Sequence, residues 1–219
     1  MYGLKDNVAR KAGTMGKEEN KEMEFWTQEE FQEFLECVAD KPVSYYAFEM
    51  LYWTGIREGE LLALTPADFN FEKKTLRINK SYQRLEGEDV ITDPKTPKSN
   101  RTIVMPDFLT IEMENFIKSI YGIKMDDRIF TISKSYLHHE MDRGAKLAGV
   151  KRIRIHGLRH SHISLLINLG FSALAIGERV GHEAVDITYQ YAHLFPTVQT
   201  DMEAQLETER ETLVNVRKE

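Results

Sequence analysis

Apolar positions recur at helical spacing through most of the chain and alternate only in one stretch before its middle. Phe31, Phe34, Leu35 and Val38 stand at i, i+3, i+4 and i+7. They follow Thr27 and Glu30, the pair that closes a capping box, so a capped helix with one buried stripe is expected there. From Val43 to Thr54 nearly every residue is apolar or aromatic, which puts the second helix at the centre of the core, with Gly55 ending it. Arg57 opens a short helix through Leu64, and Thr65-Pro66-Ala67-Asp68 starts another turn with a cap and a proline at its first position. The period then changes. Thr75–Asn79 and Arg101–Met105 alternate, with Pro94, Pro97 and Ser99-Asn100 between them. These predict two strands of a small antiparallel sheet, with a third short strand near Val90-Ile91. Helical patterns return at about 107–121, 135–148, 158–169, 172–180 and 184–193. The fold class expected is mostly α with a small antiparallel β-sheet inserted early (α+β).

At the two ends the pattern fades. Residues 1–24 are polar, with Gly3, Gly13 and Gly16, and read as a flexible lead-in. Residues 196–219 read as a charged tail helix with a thin stripe of Met202, Leu206 and Leu213. One domain over 25–195 is the expected organisation, within a chain of 219 residues that can bury a sizeable core. No apolar run nears the roughly 18 to 20 residues that span a bilayer, so no membrane segment is expected. Cys37 is the sole cysteine, which excludes an intrachain disulfide and a cysteine zinc cage and fits a reducing cytoplasm.

The formal net charge of -6 looks wrong for a partner of nucleic acid until its distribution is read. Residues 17–40 hold nine acids against two bases, and residues 201–219 hold six against three. Residues 143–159, by contrast, carry Arg143, Lys146, Lys151, Arg152, Arg154 and Arg159 with no acid. The segment reads either as a local basic face on an acidic chain or as a solvated surface; on the first reading Arg143, Lys146, Arg152 and Arg154 are candidate DNA contacts beside Lys98 and Arg101.

Two arginines, two histidines and a tyrosine then stand out: Arg57, His156, Arg159, His182 and Tyr191. Guanidinium groups fork onto phosphate oxygens and stay charged. Histidine can bind phosphate or accept a proton, and a phenol can serve as nucleophile. From the residues alone Tyr189 and Tyr191 compete for that last role. A metal hydrolase is the rival, since His156 and His160 have i, i+4 spacing with His162 nearby. Yet no glutamate follows either histidine of that pair, and His182-Glu183 has Asp186 at i+4. No metal and no cofactor is expected.

Three boxes in order carry a resemblance. Thr54-Gly55-Ile56-Arg57-Glu58-Gly59-Glu60-Leu61, His156-Gly157-Leu158-Arg159-His160-Ser161, and Gly181-His182 with Thr188, Tyr191 and His193 resemble the tyrosine recombinase (phage integrase) catalytic domain. The likeness covers roughly 25–195 and is of the kind found in Gram-positive phages and conjugative transposons, through Pro94-Lys95-Thr96-Pro97-Lys98-Ser99-Asn100-Arg101-Thr102-Ile103. The resemblance implies Tyr191 as nucleophile, Arg57, Arg159 and His182 on the phosphate, His156 as base or phosphate ligand, and Glu60 as support. It implies Lys95, in preference to Lys98, as the acid for the leaving oxygen. It also implies site-specific DNA recombination through a 3′-phosphotyrosyl intermediate, integrating or excising a mobile element without metal. Double-stranded DNA is the partner implied, with a homo-tetramer in the full-length protein and an excisionase or host DNA-bending protein beside it. The setting implied is the bacterial cytoplasm, at the nucleoid. Members of the family carry further N-terminal domains for which 1–24 is too short, so a catalytic fragment with weak DNA binding is expected.

Overall fold

Thr27 begins the folded core as its side chain accepts from the Glu30 N–H at 3.3 Å while Glu30 Oε2 accepts from the Thr27 N–H at 2.9 Å. This is the first element of a computed structural model that describes residues 24–93 and 99–182, with Asp186, Tyr191, Thr208 and Arg210. Lys95, Lys98 and the lead-in 1–23 lie outside the described residues. Of the helices expected at 184–193 and 196–219, only those last four residues are described, each helical.

Among the described residues the helices are α1 (Gln28–Glu36), α2 (Pro42–Thr54), α3 (Glu58–Ala63), α4 (Asp107–Ser119), α5 (Lys134–Ala148), α6 (Ile155–Asn168) and α7 (Ala173–Val180), with a 3-10 turn at Pro66–Asp68. The strands are β1 (Phe69–Asn70), β2 (Thr75–Ile78), β3 (Ser81–Leu85), β4 (Glu88–Thr92) and β5 (Arg101–Val104). Among the described residues no helix is long and apolar enough to cross a membrane.

α2 is the hub, as its apolar sequence demands. It packs against α1, α3, α4 and α6. Phe31 of α1 stacks on Tyr52 at 3.8 Å between ring centroids, and Phe34 meets Trp26 and Phe48 at 4.7 and 4.8 Å. Burying one such ring contributes about 1.5–3 kcal/mol. Trp26 also binds the entry segment to the second half of the chain, its N–H donating to Ser161 Oγ at 2.8 Å and its indole N–H to the Lys151 carbonyl at 2.7 Å.

The sheet differs from the expected pair with a third strand. β1, β2 and β5 form one antiparallel sheet in that order, with Leu76 opposite Ile103. Val90 and Ile91 instead pair with Gln83 and Tyr82 in a separate hairpin, β3–β4. That hairpin buries only Tyr82, so no alternating apolar face marks β3 in the sequence. Its register comes from the turn: Glu86 and Gly87 both take positive φ, 51° and 90°, as a two-residue primed turn requires. The hairpin packs on α3, where a Cβ on Gly59 would lie 2.6 Å from Ser81 Oγ.

α6 begins at Ile155, three residues before the expected start at 158. Gly157, just before the expected start, lies inside the helix, where a Cβ would stand 2.9 Å from the Glu24 carbonyl oxygen. Arg159 is therefore one turn into the helix and not at its N-terminus, so free main-chain N–H groups do not surround it.

Gly55 closes α2 with φ 65°, and a Cβ there would meet His162 Cδ2 at 2.6 Å. Gly55→Ala combines left-handed strain with overpacking, each about 1–3 kcal/mol. We expect a loss of about 2–4 kcal/mol, read from the urea midpoint.

Candidate active site

The site is built where the ends of α2, α3 and α7 meet the first turns of α6. Arg57 is the N-cap of α3, and Glu60 in the first turn holds it twice. Glu60 Oε2 accepts from the Arg57 backbone N–H at 2.8 Å and Oε1 from its guanidinium at 2.8 Å. The buried Glu60 also receives Arg101 from β5, with Nη1 to Oε1 at 3.2 Å and Nη2 to Oε2 at 3.0 Å. Burial alone would raise the Glu60 pKa, but the Arg101 hydrogen bond and charge, then those of Arg57, hold it below the ordinary carboxylate value.

Arg159 projects from α6 into the interior and is 1% exposed. Its Nη1 donates to the Gly55 carbonyl at 2.5 Å and its Nη2 to the Val180 carbonyl. Arg57 Nη2 reaches the next carbonyl, Gly181, at 3.5 Å. The two guanidinium groups thus share one footing, the C-terminus of α7, where Gly181 turns the chain with φ 71° and His182 follows. Burial and the Arg57 charge push the Arg159 pKa down to about 9, leaving it charged at neutral pH.

The histidines around this pair all have their pKa lowered. Burial, then Arg159, Arg57, His156 and His160, pushes His182 down to about 4. His160 is pushed down to about 4 by burial, His156 and Arg159. His156 keeps an exposed edge, yet local desolvation and then Arg159 and Arg57 lower it as well. Nε of Arg159 and Nδ1 of His182 are buried with no hydrogen-bond partner among the described residues. A cluster of positive charge with open donors suits an anion.

Tyr191 lies 1% exposed among Ile163, Ile167, Ile176 and Val180. Its hydroxyl is hydrogen-bonded to Nδ1 of His160, and burial raises its pKa while Arg159 partly opposes that. The His156 ring stands edge-to-face on His160 at 4.8 Å between centroids. The structure thus brings Arg57, Glu60, His156, Arg159, His182 and Tyr191 into one region.

Among the expected DNA contacts two need correction. Arg101 is buried and spent on Glu60, the Ser99 carbonyl and the Arg179 carbonyl. Arg143 is half-buried and tied to Glu140, Asp40 and the Cys37 carbonyl. A buried acid explains each: Glu60 takes Arg101 besides Arg57, and Glu140 takes Arg143 besides Lys41. Arg152 is exposed and pairs with Asp142 at 2.7 Å. Lys146 and Arg154 are exposed.

Sequence reasoning passed over His160 and Arg179. His160 was weighed only as a metal ligand, although its place four residues after His156 puts both on one helix face. Arg179 staples α7 by donating to His162 Nε2 at 3.0 Å, the Val104 carbonyl at 3.0 Å and the Trp53 carbonyl at 3.2 Å. His162 therefore faces Arg179, and no group of three His, Cys, Asp or Glu among the described residues could hold a metal ion.

Comparisons with known proteins give the family and the fold. The model of the phage integrase family matches residues 24–197. The chain belongs to that family. It is 31% identical over 217 residues to the ICEBs1 integrase of Bacillus subtilis (strain 168), covering 92% of this chain and 58% of that one. It is likewise 31% identical over 179 residues to the integrase of Staphylococcus phage L54a, covering 74% and 51%. The chain thus spans little more than half the length of these family members. Among solved structures, the Tn1549 transposon integrase in complex with a circular intermediate DNA superposes with a TM-score of 0.72 at 23% identity, covering 85% of this chain and 67% of that one. The catalytic domain of bacteriophage HP1 integrase gives 0.58 at 19% identity, covering 83% and 95%. Those two likenesses establish the mostly helical fold with its small antiparallel sheet.

Proposed function

We propose that this chain is the strand-cleaving and strand-joining domain of a site-specific DNA recombinase that integrates or excises a mobile element. The observation that carries the reading is the common footing of Arg57 and Arg159 on the Gly181 and Val180 carbonyls. Beside it, Arg159 Nε and His182 Nδ1 are buried without partners among the described residues. A scissile phosphate fits there. Arg57 and Arg159 neutralise its non-bridging oxygens, and His182 and His156 donate to it once the bound anion restores their basicity. The Tyr191 oxygen attacks phosphorus, giving a 3′-phosphotyrosyl bond, and the 5′ oxygen departs with a proton from Lys95. The covalent bond conserves the phosphodiester energy, so rejoining needs no nucleotide cofactor. The ICEBs1 and L54a proteins are named integrases, and the Tn1549 structure holds DNA.

In the full-length protein the reading extends to a homo-tetramer on DNA, with the segment after Pro196 contacting a neighbouring subunit. An excisionase or a host DNA-bending protein would assist, at the nucleoid in the bacterial cytoplasm. Lys146, Arg152 and Arg154 would contribute phosphate contacts, so affinity should fall steeply as salt rises.

The test is a nicked suicide duplex carrying the core site recovered by selection from a randomised duplex pool. In the presence of a chelator the chain should form a covalent DNA adduct that Tyr191→Phe abolishes. An adduct persisting in that variant moves the nucleophile elsewhere, and a requirement for metal favours hydrolysis.

A further inference from the structure

We infer that His160 is the base that receives the phenolic proton of Tyr191 as the bond to phosphorus forms, a role that rests on the strand-transfer reading above. The Tyr191 oxygen is the reacting atom, and His160 Nδ1 is hydrogen-bonded to it. His156 packs on the His160 ring and makes no hydrogen bond to that oxygen. At 1% exposure the phenol has almost no water to take its proton. Burial also raises its pKa, so unaided ionisation is rare near neutral pH. A proton acceptor must therefore come from the protein.

The surroundings keep His160 able to accept. Among the described residues the titratable and charged groups that act on it are His156 and Arg159 on α6, His182 beyond α7 and Tyr191. Burial, His156 and Arg159 hold it at about 4, so near neutral pH the ring is uncharged and the Nδ1 lone pair is free whenever Nε2 carries the proton. The step balances. The Tyr191 oxygen bonds to phosphorus and its proton passes to Nδ1; the bond from phosphorus to the 5′ oxygen breaks, and that oxygen takes the Lys95 proton. Rejoining runs the same transfer backward, and the imidazolium returns its proton to the departing phenolate.

The experiment uses the selected duplex with a bridging 5′-phosphorothiolate at the scissile position. Sulfur leaves without protonation, so Lys95 drops out and the rate reports on the nucleophile. His160→Asn keeps an acceptor near the Nδ1 position but has no comparable affinity for a proton. The wild-type rate should be nearly flat across the neutral range. The variant should be slower by about 10²–10⁴-fold near neutral pH and gain about tenfold per pH unit. A fluorinated tyrosine at position 191, whose phenol ionises more readily, should restore the variant's rate. An Asn variant with the wild-type rate and a flat profile would overturn the inference, since hydrogen bonding alone would suffice. A slow variant rescued by neither alkali nor the fluorinated phenol would also overturn it, because its defect is structural. So would faster cleavage by His160→Ala, which would make the contact a restraint on the nucleophile. If the wild-type chain forms no adduct under any condition, the strand-transfer reading itself fails.

Discussion

Glu60→Ala is expected to cost about 3–5 kcal/mol of folding stability, the loss typical of stripping one partner from a buried ion pair. Arg101 explains the size of the effect: its side chain is 6% exposed, and Glu60 is its sole carboxylate partner among the described residues. Removing Glu60 leaves that guanidinium charged in the interior and also releases the backbone and side chain of Arg57. Urea unfolding measures the stability loss, and adduct formation at a temperature where the variant stays folded measures the effect on Arg57. Glu60 also makes stability depend on pH. Its pKa is lowered by folding, so its contribution is complete above the ordinary carboxylate range and is withdrawn as pH falls through the folded value. His160, His162 and His182, held at about 4, 3 and 4 against an ordinary 6.5, act in the same direction from higher pH. Each binds a proton more readily when unfolded, so stability declines as pH drops below about 6.5. Glu60→Gln should remove only the more acidic part of that decline, in urea midpoints followed from neutral pH downward.

Arg159→Lys is expected to lower strand cleavage by about 10²–10³-fold, the usual cost of losing one positioned donor to a developing charge. One ammonium cannot span the Gly55 and Val180 carbonyls and still present an open N–H to a phosphate, whereas the guanidinium has donors for all three. Single-turnover adduct formation on the nicked duplex reads the loss. Binding of the same duplex at fixed salt should change far less, since many phosphate contacts share the affinity.

Much of this architecture was legible in the sequence because local chemistry dictated it. Thr27 and Glu30 announce the start of α1, and the unbroken apolar run before Gly55 marks the central helix. Arg57 with Glu60, His156 with Arg159, and Gly181 with His182 sit at spacings that a helix turn converts into proximity. What escaped was set by tertiary context. The β3–β4 hairpin buries one side chain, so it leaves no alternating pattern. The start of α6 at Ile155 was missed because the Glu24 carbonyl that packs on Gly157 is far away in sequence. Arg101 and Arg143 look like surface charge because their partners, Glu60 and Glu140, come from other elements or a preceding turn. His160 carries no mark distinguishing it from a metal ligand until Tyr191 is found beside it. Lys95 and Lys98 remain expectations from the sequence.

The stapling of α7 by Arg179 divides the chain for anyone wishing to re-engineer it. That one guanidinium grips a histidine and two carbonyls from separate elements, and so immobilises the helix end on which both Arg57 and Arg159 rest. Swaps or fusions introduced downstream of His182 should therefore leave the anion pocket preorganised. Grafts that replace α7 itself would need to keep an arginine at position 179, aimed at His162 and at the Trp53 and Val104 carbonyls.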